Sequence, residues 1–332
     1  MGRVRLSGTK QKTAFTPRNR SCAGSLDRFE SKIVSEQAQP STGFDQLLHF
    51  TLPDRDARGR VVRLGPVLDT ILSAHSYPAP IRCILAEALV VTALLGSLLK
   101  DQGSQMTVQA QTKGGIIDLL VCDYRNGELR GYVRHDRARL DELGPTPSLF
   151  ALFGEGYLAI TFDLATSGQR YQGVVPLEGN SLAEACESYF FQSEQVPTLI
   201  RVGLHNTPSG CVAGGMLLQH LPEGEEGRER LHVQLDHPEW EHVSVLGRSV
   251  KDAELVDPAL DLETVVWRLF HEEREIRIEG GPTITRGCRC TIEHYQDILS
   301  RFAPADREEM KNDDGLIMVD CAFCSREFEI DL

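Results

Sequence analysis

Several features are missing from this 332-residue chain, and each absence narrows what it can do. Neither a phosphate-cradling G-x-x-x-x-G-K-[ST] run nor a G-x-S-x-G elbow occurs, so the ATPase and serine-hydrolase readings have no support. Excess positive charge is lacking, since 35 Lys and Arg face 48 Asp and Glu for a net charge of -13. Affinity for nucleic-acid backbones comes mainly from Lys and Arg, so no nucleic-acid partner is expected. A long unbroken apolar run is also missing. The best candidate, CILAEALVVTALLGSLLK over 83–100, is interrupted by Glu87, Thr92, Gly96 and Ser97. It reads as a helix buried in a protein core, and no membrane partner follows.

The cysteines do not form a secreted disulfide framework. Their number is nine, an odd count, and Cys22, Cys83, Cys122, Cys186 and Cys211 are scattered singly. These five read as small hydrophobes, or as a loose tail thiol for Cys22. The start of the chain has no apolar h-region, so the cytoplasm is the expected compartment.

Composition divides the chain into four stretches. Over 1–43, Arg3, Arg5, Lys10, Lys12, Arg18, Arg20, Arg28 and Lys32 face only Asp27, Glu30 and Glu36. With no apolar periodicity, this stretch reads as a disordered basic arm; a transit peptide is the weaker reading.

From 44 to 222 two helices, split by a turn at Pro78 to Pro80, are followed by strands such as QMTVQAQT and IIDLLVCDY, joined at Lys113-Gly114-Gly115. A helix over SLAEACESYFFQSEQ and two further strands complete an α+β body with an antiparallel sheet and grouped helices.

Residues 223–285 form a charged linker with carboxylates in excess. Within it Asp257 is the expected cap of a helix carrying Leu262, Val265, Val266, Leu269 and Phe270 on one face. Many charges around one apolar stripe leave such a segment either a polar connector or a metastable element that docks on the body.

The last stretch, 286–332, carries the clearest chemistry. Cys288-x-Cys290 and Cys321-x-x-Cys324 are separated by thirty residues. Zinc takes about four soft ligands at roughly 2.3 Å per sulfur, and two close pairs across a folded insert supply them economically. Four thiolates leave no open position for water, which favours a structural or switching Zn2+ over zinc hydrolysis. His294 is a competing ligand, weaker beside a complete thiolate set. A thioredoxin-type role for Cys321-Ala-Phe-Cys324 lacks its strand-to-helix context, because LIMVDCAFCSREFEIDL reads as a knuckle between two short strands.

These residues resemble a known family, the redox-regulated 33-kDa chaperonin or heat-shock protein 33. The resemblance rests on the two cysteine motifs, on YFFQSEQVPT at 189–198, AGGMLLQHLP at 213–222 and VVWRLFHEE at 265–273. It implies an α+β body, a metastable linker and a C-terminal four-cysteine zinc module, with Cys288, Cys290, Cys321 and Cys324 as the ligands of one Zn2+ per chain. It further implies that oxidants, acting with unfolding conditions, form the pairs Cys288–Cys290 and Cys321–Cys324 and release the metal. The chain then acts as an ATP-independent holdase for unfolded client proteins under oxidative stress, generally as a homodimer. No catalytic residue is implied. Tyr189, Phe190 and Phe191 in the first marker read as core.

Physical chemistry makes such a switch available. A structural zinc contributes about 10–16 kcal/mol of apparent binding free energy, which is also folding free energy. Local disulfides would replace one long-range tie by two small loops that restrain the unfolded chain far less. Across an extended Cys-x-Cys the alpha-carbons lie about 6.6 Å apart, near the upper limit for a disulfide, so that pair must rearrange to oxidise. The alternative is a constitutive zinc-ribbon interaction module that keeps its metal through mild oxidation.

Overall fold

The structure, a computed structural model, describes residues 43–207, 210–221 and 237–332. The arm expected over 1–43 falls outside them except for Gly43, as does the start of the linker, 223–236.

Strands β1 (Gln46–Leu52) and β2 (Ala57–Leu64) form an antiparallel hairpin, turned by a short 3-10 segment and by Asp56 at a left-handed φ of 44°. Two helices follow, α1 (Pro66–Leu72) and α2 (Ala79–Gly96), each with proline in its first turn, where the missing N–H costs nothing. Helix α2 is apolar on nearly every side and 83% buried. Its Glu87 carboxylate accepts from the Ala183 amide at 3.1 Å. The stretch read from the sequence as a core helix is therefore one.

Strands β3 (Gln105–Thr112), β4 (Ile117–Arg125) and β5 (Glu128–His135) form a meander, followed by the one-turn helices α3 (Arg137–Asp141) and α4 (Leu149–Phe153). The sequence reading omits both short helices. Asp136 and Ser148 cap them by accepting from the amides of Arg139 and Ala151. Strands β6 (Gly156–Asp163) and β7 (Arg170–Pro176), helix α5 (Leu182–Tyr189), and strands β8 (Thr198–Thr207) and β9 (Gly210–His220) follow. Tyr189 and Phe190 are buried as expected, but Phe191 is 55% exposed because the chain leaves the helix through a π turn. Cys122, Cys186 and Cys211 are buried free thiols, each pushed upward in pKa by burial.

Two sheets sandwich α2. The second sheet, in the order β5-β4-β3-β6-β7, shows the alternation expected of one buried face, and β3 alternates strictly between half-buried and buried residues. The first sheet differs: β9 is buried almost without interruption. The reason lies beyond residue 222. Helices α6 (Pro238–Arg248), α7 (Asp252–Val256) and α8 (Leu262–Phe270) cover the face of this sheet opposite α2. Strand β10 (Arg277–Thr283) then pairs antiparallel with β1, giving the order β10-β1-β2-β9-β8. Strand β11 (Thr285–Arg286) crosses to the second sheet and pairs parallel with β5.

The apolar stripe of α8 is as expected, with Val265, Val266 and Phe270 buried and Leu269 packed against the same cluster. Its cap is not. Asp261, rather than Asp257, accepts from the Thr264 amide at 2.6 Å, while Asp257 closes a separate turn onto Ala259. The end of the chain comprises α9 (Ile292–Leu299), α10 (Pro304–Glu309) and the hairpin β12 (Ile317–Asp320) with β13 (Glu327–Ile330). The whole is α+β, with antiparallel sheets, grouped helices and a terminal four-cysteine cluster.

Candidate metal centre and the seat of the linker helices

The four terminal cysteines reach one point from two legs. Gly287 donates to the Leu129 carbonyl at 2.9 Å, which lays the first leg against β5, and the chain runs on irregularly through Cys288 and Cys290. The second leg is the turn between β12 and β13. There the Cys321 carbonyl accepts from the amides of Cys324 and Ser325 at 3.1 and 2.8 Å, and Ser325 takes a left-handed φ of 54°. This is the knuckle between short strands read from the sequence.

The sulfur of Cys288 lies 3.3 Å from that of Cys290 and 3.6 Å from that of Cys321, and Cys290 lies 3.4 Å from Cys324. All four sulfurs fall within 4.8 Å of one another, and all are free thiols. A tetrahedron with sulfur ~2.3 Å from a central ion has sulfurs about 3.8 Å apart, whereas a disulfide brings them to about 2.05 Å. The arrangement thus fits a four-thiolate metal site. His294 is not among the converging groups; it sits exposed in the first turn of α9, where its amide donates to Thr291.

Local electrostatics treat the thiols differently. Burial, with the neighbouring thiols, pushes Cys290 well up, and burial likewise raises Cys288. At Cys321 burial also acts upward, but hydrogen bonds from Tyr295 and from the amides of Phe323 and Cys324 outweigh it and bring the thiol down to about 7. Cys321 is therefore readier than Cys288 or Cys290 to exist as thiolate, the form that binds metal and reacts with oxidant. Apart from the sulfurs, the apolar content of this end is small. Leu299, Ile317, Phe328 and Ile330 are its buried aliphatic and aromatic residues, with Tyr295 against Phe328 at 5.0 Å. A core of that size needs a staple.

The docking expected of the helix within 223–285 is made on a seat whose residues the sequence did not single out: the face of the first sheet on which α6 to α8 rest. Leu48, Phe50, Leu52, Val61, Leu199, Met216 and Leu218 present an apolar face from β1, β2, β8 and β9. Val243, Leu255, Leu262, Val266 and Phe270 fill it, with Phe50 and Phe270 at 5.7 Å between ring centroids. Helix α7 lies so close that a Cβ at Gly203 would collide with the Asp252 carbonyl, and one at Gly214 with that of Leu255.

Two polar devices hold the cover. Arg63 of β2, fully buried, donates to the carbonyls of Leu255, Leu260 and Glu254 at 2.8, 2.7 and 3.2 Å. At the sheet's end, Arg55 contacts Glu239 of α6 and donates to Glu273 at 2.7 Å, and His242 closes on the other Glu273 oxygen at 2.7 Å. The clue available beforehand is the unbroken apolar run in CVAGGMLLQHL, a pattern of strands covered on both faces.

Comparison with known proteins agrees with this arrangement. A family model described as Hsp33 protein matches residues 45–331. The 33 kDa chaperonin of Caulobacter vibrioides is 37% identical over 301 residues, covering 88% of this chain and 97% of that protein. Its counterpart in Escherichia coli is 34% identical over 284 residues, covering 86% and 91%. The crystal structure of the 33 kDa chaperonin from Thermotoga maritima shares the fold with a TM-score of 0.70 at 22% identity, covering 86% of this chain and 95% of that one. With a converging four-cysteine cluster, two sheets around one apolar helix and a match across nearly all of its described length, this chain belongs to the Hsp33 family.

Proposed function

We propose that this chain is a redox-regulated, ATP-independent holdase chaperone that shields unfolding proteins during oxidative stress. The observation that carries the reading is the convergence of Cys288, Cys290, Cys321 and Cys324 within 4.8 Å, with sulfur separations near those of a tetrahedral site. These four residues would hold one Zn2+, which when bound cross-links two chain segments and offers no open position. The proposed division is a basic arm over 1–43, a body over 44–222, a linker over 223–285 and a metal module over 286–332.

The chain's own residues supply the switch. In the reduced state the thiolates tie the two legs together, and the docked helices α6 to α8 cover the apolar face of the first sheet. When peroxide takes two electrons from a thiol pair, a sulfur–sulfur bond forms, the peroxide is reduced to water and two ligands are lost. The local pairs Cys288–Cys290 and Cys321–Cys324 are those expected from the family resemblance. Sulfur distances alone do not select them, since Cys290 is 3.4 Å from Cys324 and 3.3 Å from Cys288.

Without the long-range tie the small terminal core comes apart. Release of the linker then exposes apolar surface on both the helices and the sheet beneath, a contiguous patch of the kind that binds sticky partners. The partners are unfolded or partly unfolded proteins, the active form is a homodimer, and the compartment is the cytoplasm.

Peroxide titration of the reduced, zinc-loaded chain, following metal release and far-UV circular dichroism together, tests this reading. Metal loss accompanied by loss of ordered structure is expected. Retained metal with unchanged ellipticity would point instead to a constitutive zinc-ribbon module.

A further inference from the structure

The residues that separate the ligands within each pair touch the body, at the second sheet and at the His75 turn. Between Cys321 and Cys324 stand Ala322 and Phe323. The Phe323 ring meets Tyr132 of β5 edge-on at 5.0 Å, and the Arg130 guanidinium lies 4.0 Å from the Phe323 centroid. Arg130 is itself fixed, because Asp123 of β4 pairs with it at 2.6 Å and also accepts from Thr107. The Ala322 carbonyl accepts from Nε2 of His75 at 2.9 Å, and the Ser325 hydroxyl is 2.9 Å from Nδ1. A carbonyl can only accept, so Nε2 donates while Nδ1 faces the Ser325 hydroxyl, and both ring nitrogens are used on the knuckle.

The His75 ring is steadied in turn by Tyr77 at 4.9 Å, whose hydroxyl accepts from the Val133 amide of β5. Between Cys288 and Cys290 stands Arg289, which donates to Gln105 at 2.7 Å and lies 4.0 Å from the Glu128 carboxylate.

We infer that the outer face of β5 and the His75 turn form a positioning surface for the metal site: the body holds both ligand pairs in register through Arg289, Ala322, Phe323 and Ser325. The inference rests on the four-thiolate reading and extends it. In this arrangement metal retention is a property of the docked protein rather than of the terminal module alone. His75, Arg130 and Tyr132 do not touch the ion; they restrain the turn whose ends are Cys321 and Cys324. A knuckle free of the body samples more conformations and lets its ligands go sooner. The contact also gives the body a direct report of the metal, since any change in the Cys321–Cys324 turn moves Phe323 in its cradle.

The test uses the reduced, full-length chain loaded with Zn2+, with transfer of metal to an excess of a chromogenic chelator followed in time. The variants His75→Ala and Tyr132→Ala lie far from the knuckle in sequence and leave its local chain intact. Tyr132→Ala removes the edge-on contact with Phe323 and His75→Ala removes the two hydrogen bonds to the knuckle; each should speed metal transfer about tenfold. Phe323→Ala should match them, and Phe323→Tyr should restore most of the slow rate. His75→Ala, which removes only a half-buried turn residue, decides the matter if Tyr132→Ala perturbs the sheet. Rates within twofold of the parent chain in both body-side variants would overturn the positioning role while leaving the four-thiolate reading intact. A parent chain that binds no Zn2+ would overturn both.

Discussion

The guanidinium of Arg63 and the carbonyl of Leu255, 192 residues apart in sequence, meet at 2.8 Å in the middle of the interface between sheet and linker. Arg63 is fully buried, and its hydrogen-bond acceptors in this interface are backbone carbonyls of the linker. Such a clamp is strong while closed. Opening it returns the guanidinium to water, and that hydration offsets part of the cost of breaking the three bonds.

Replacing Arg63→Met should therefore weaken docking of the linker by about 2–4 kcal/mol, since the carbonyls it served are left without a donor. Amide hydrogen exchange would show faster exchange across α7 and α8 with α2 unchanged. Equal protection of the linker in both proteins would contradict the clamp.

Gly214 offers a steric test of the same seat. Its alpha-carbon faces the backbone of α7, where the Leu255 carbonyl occupies the place of a side chain. Gly214→Ala should lift the helix and expose apolar surface in the reduced state, read as increased binding of a hydrophobic fluorescent dye without peroxide. No change in dye binding would mean that α7 has room to shift.

The pH dependence follows from His49 on β1, which stands opposite Arg60 of β2 and Glu279 of β10. Burial, and then the Arg60 charge, lowers its pKa to about 4. Its folded value thus lies below the ~6.5 of an unfolded histidine, so the unfolded chain takes up the proton first. The resulting loss of stability is absent above about pH 6.5 and grows as pH falls toward 4. Urea unfolding of His49→Gln should show a flatter decline across that window. An unaltered decline would assign the acid sensitivity elsewhere.

Stripping metal from the reduced protein with a chelator should raise amide exchange across 288–330, because the remaining apolar core there consists of a few side chains around Phe328 and Ile330. Helix α2 should keep its protection. A terminal module that stays protected without metal would show that its apolar core suffices.

Much of this molecule is written in local patterns. The strict alternation in QMTVQAQT gives a strand with one buried face, and the apolar spacing from Leu262 to Phe270 gives the helix α8. The two cysteine motifs are legible because ligand spacing is a local property. What was hidden depends on distant partners. Strand β10, RIEGGPT, has no apolar alternation and is extended where it pairs with β1, with Ile278 packed against the cluster beneath α6 to α8. Asp261 takes the cap expected of Asp257 because the intervening residues fold into a turn that delivers the Leu260 carbonyl to Arg63. Arg63 and Phe323 look like an ordinary strand arginine and knuckle filler until the fold brings Leu255 to one and Tyr132 to the other.

The most direct measurement is light scattering by a chemically denatured client diluted into three samples: buffer alone, the reduced zinc-loaded chain, and the chain after peroxide treatment. The account predicts that the treated chain suppresses aggregation while the reduced chain resembles buffer. Equal protection by reduced and treated samples, or none by either, would contradict it.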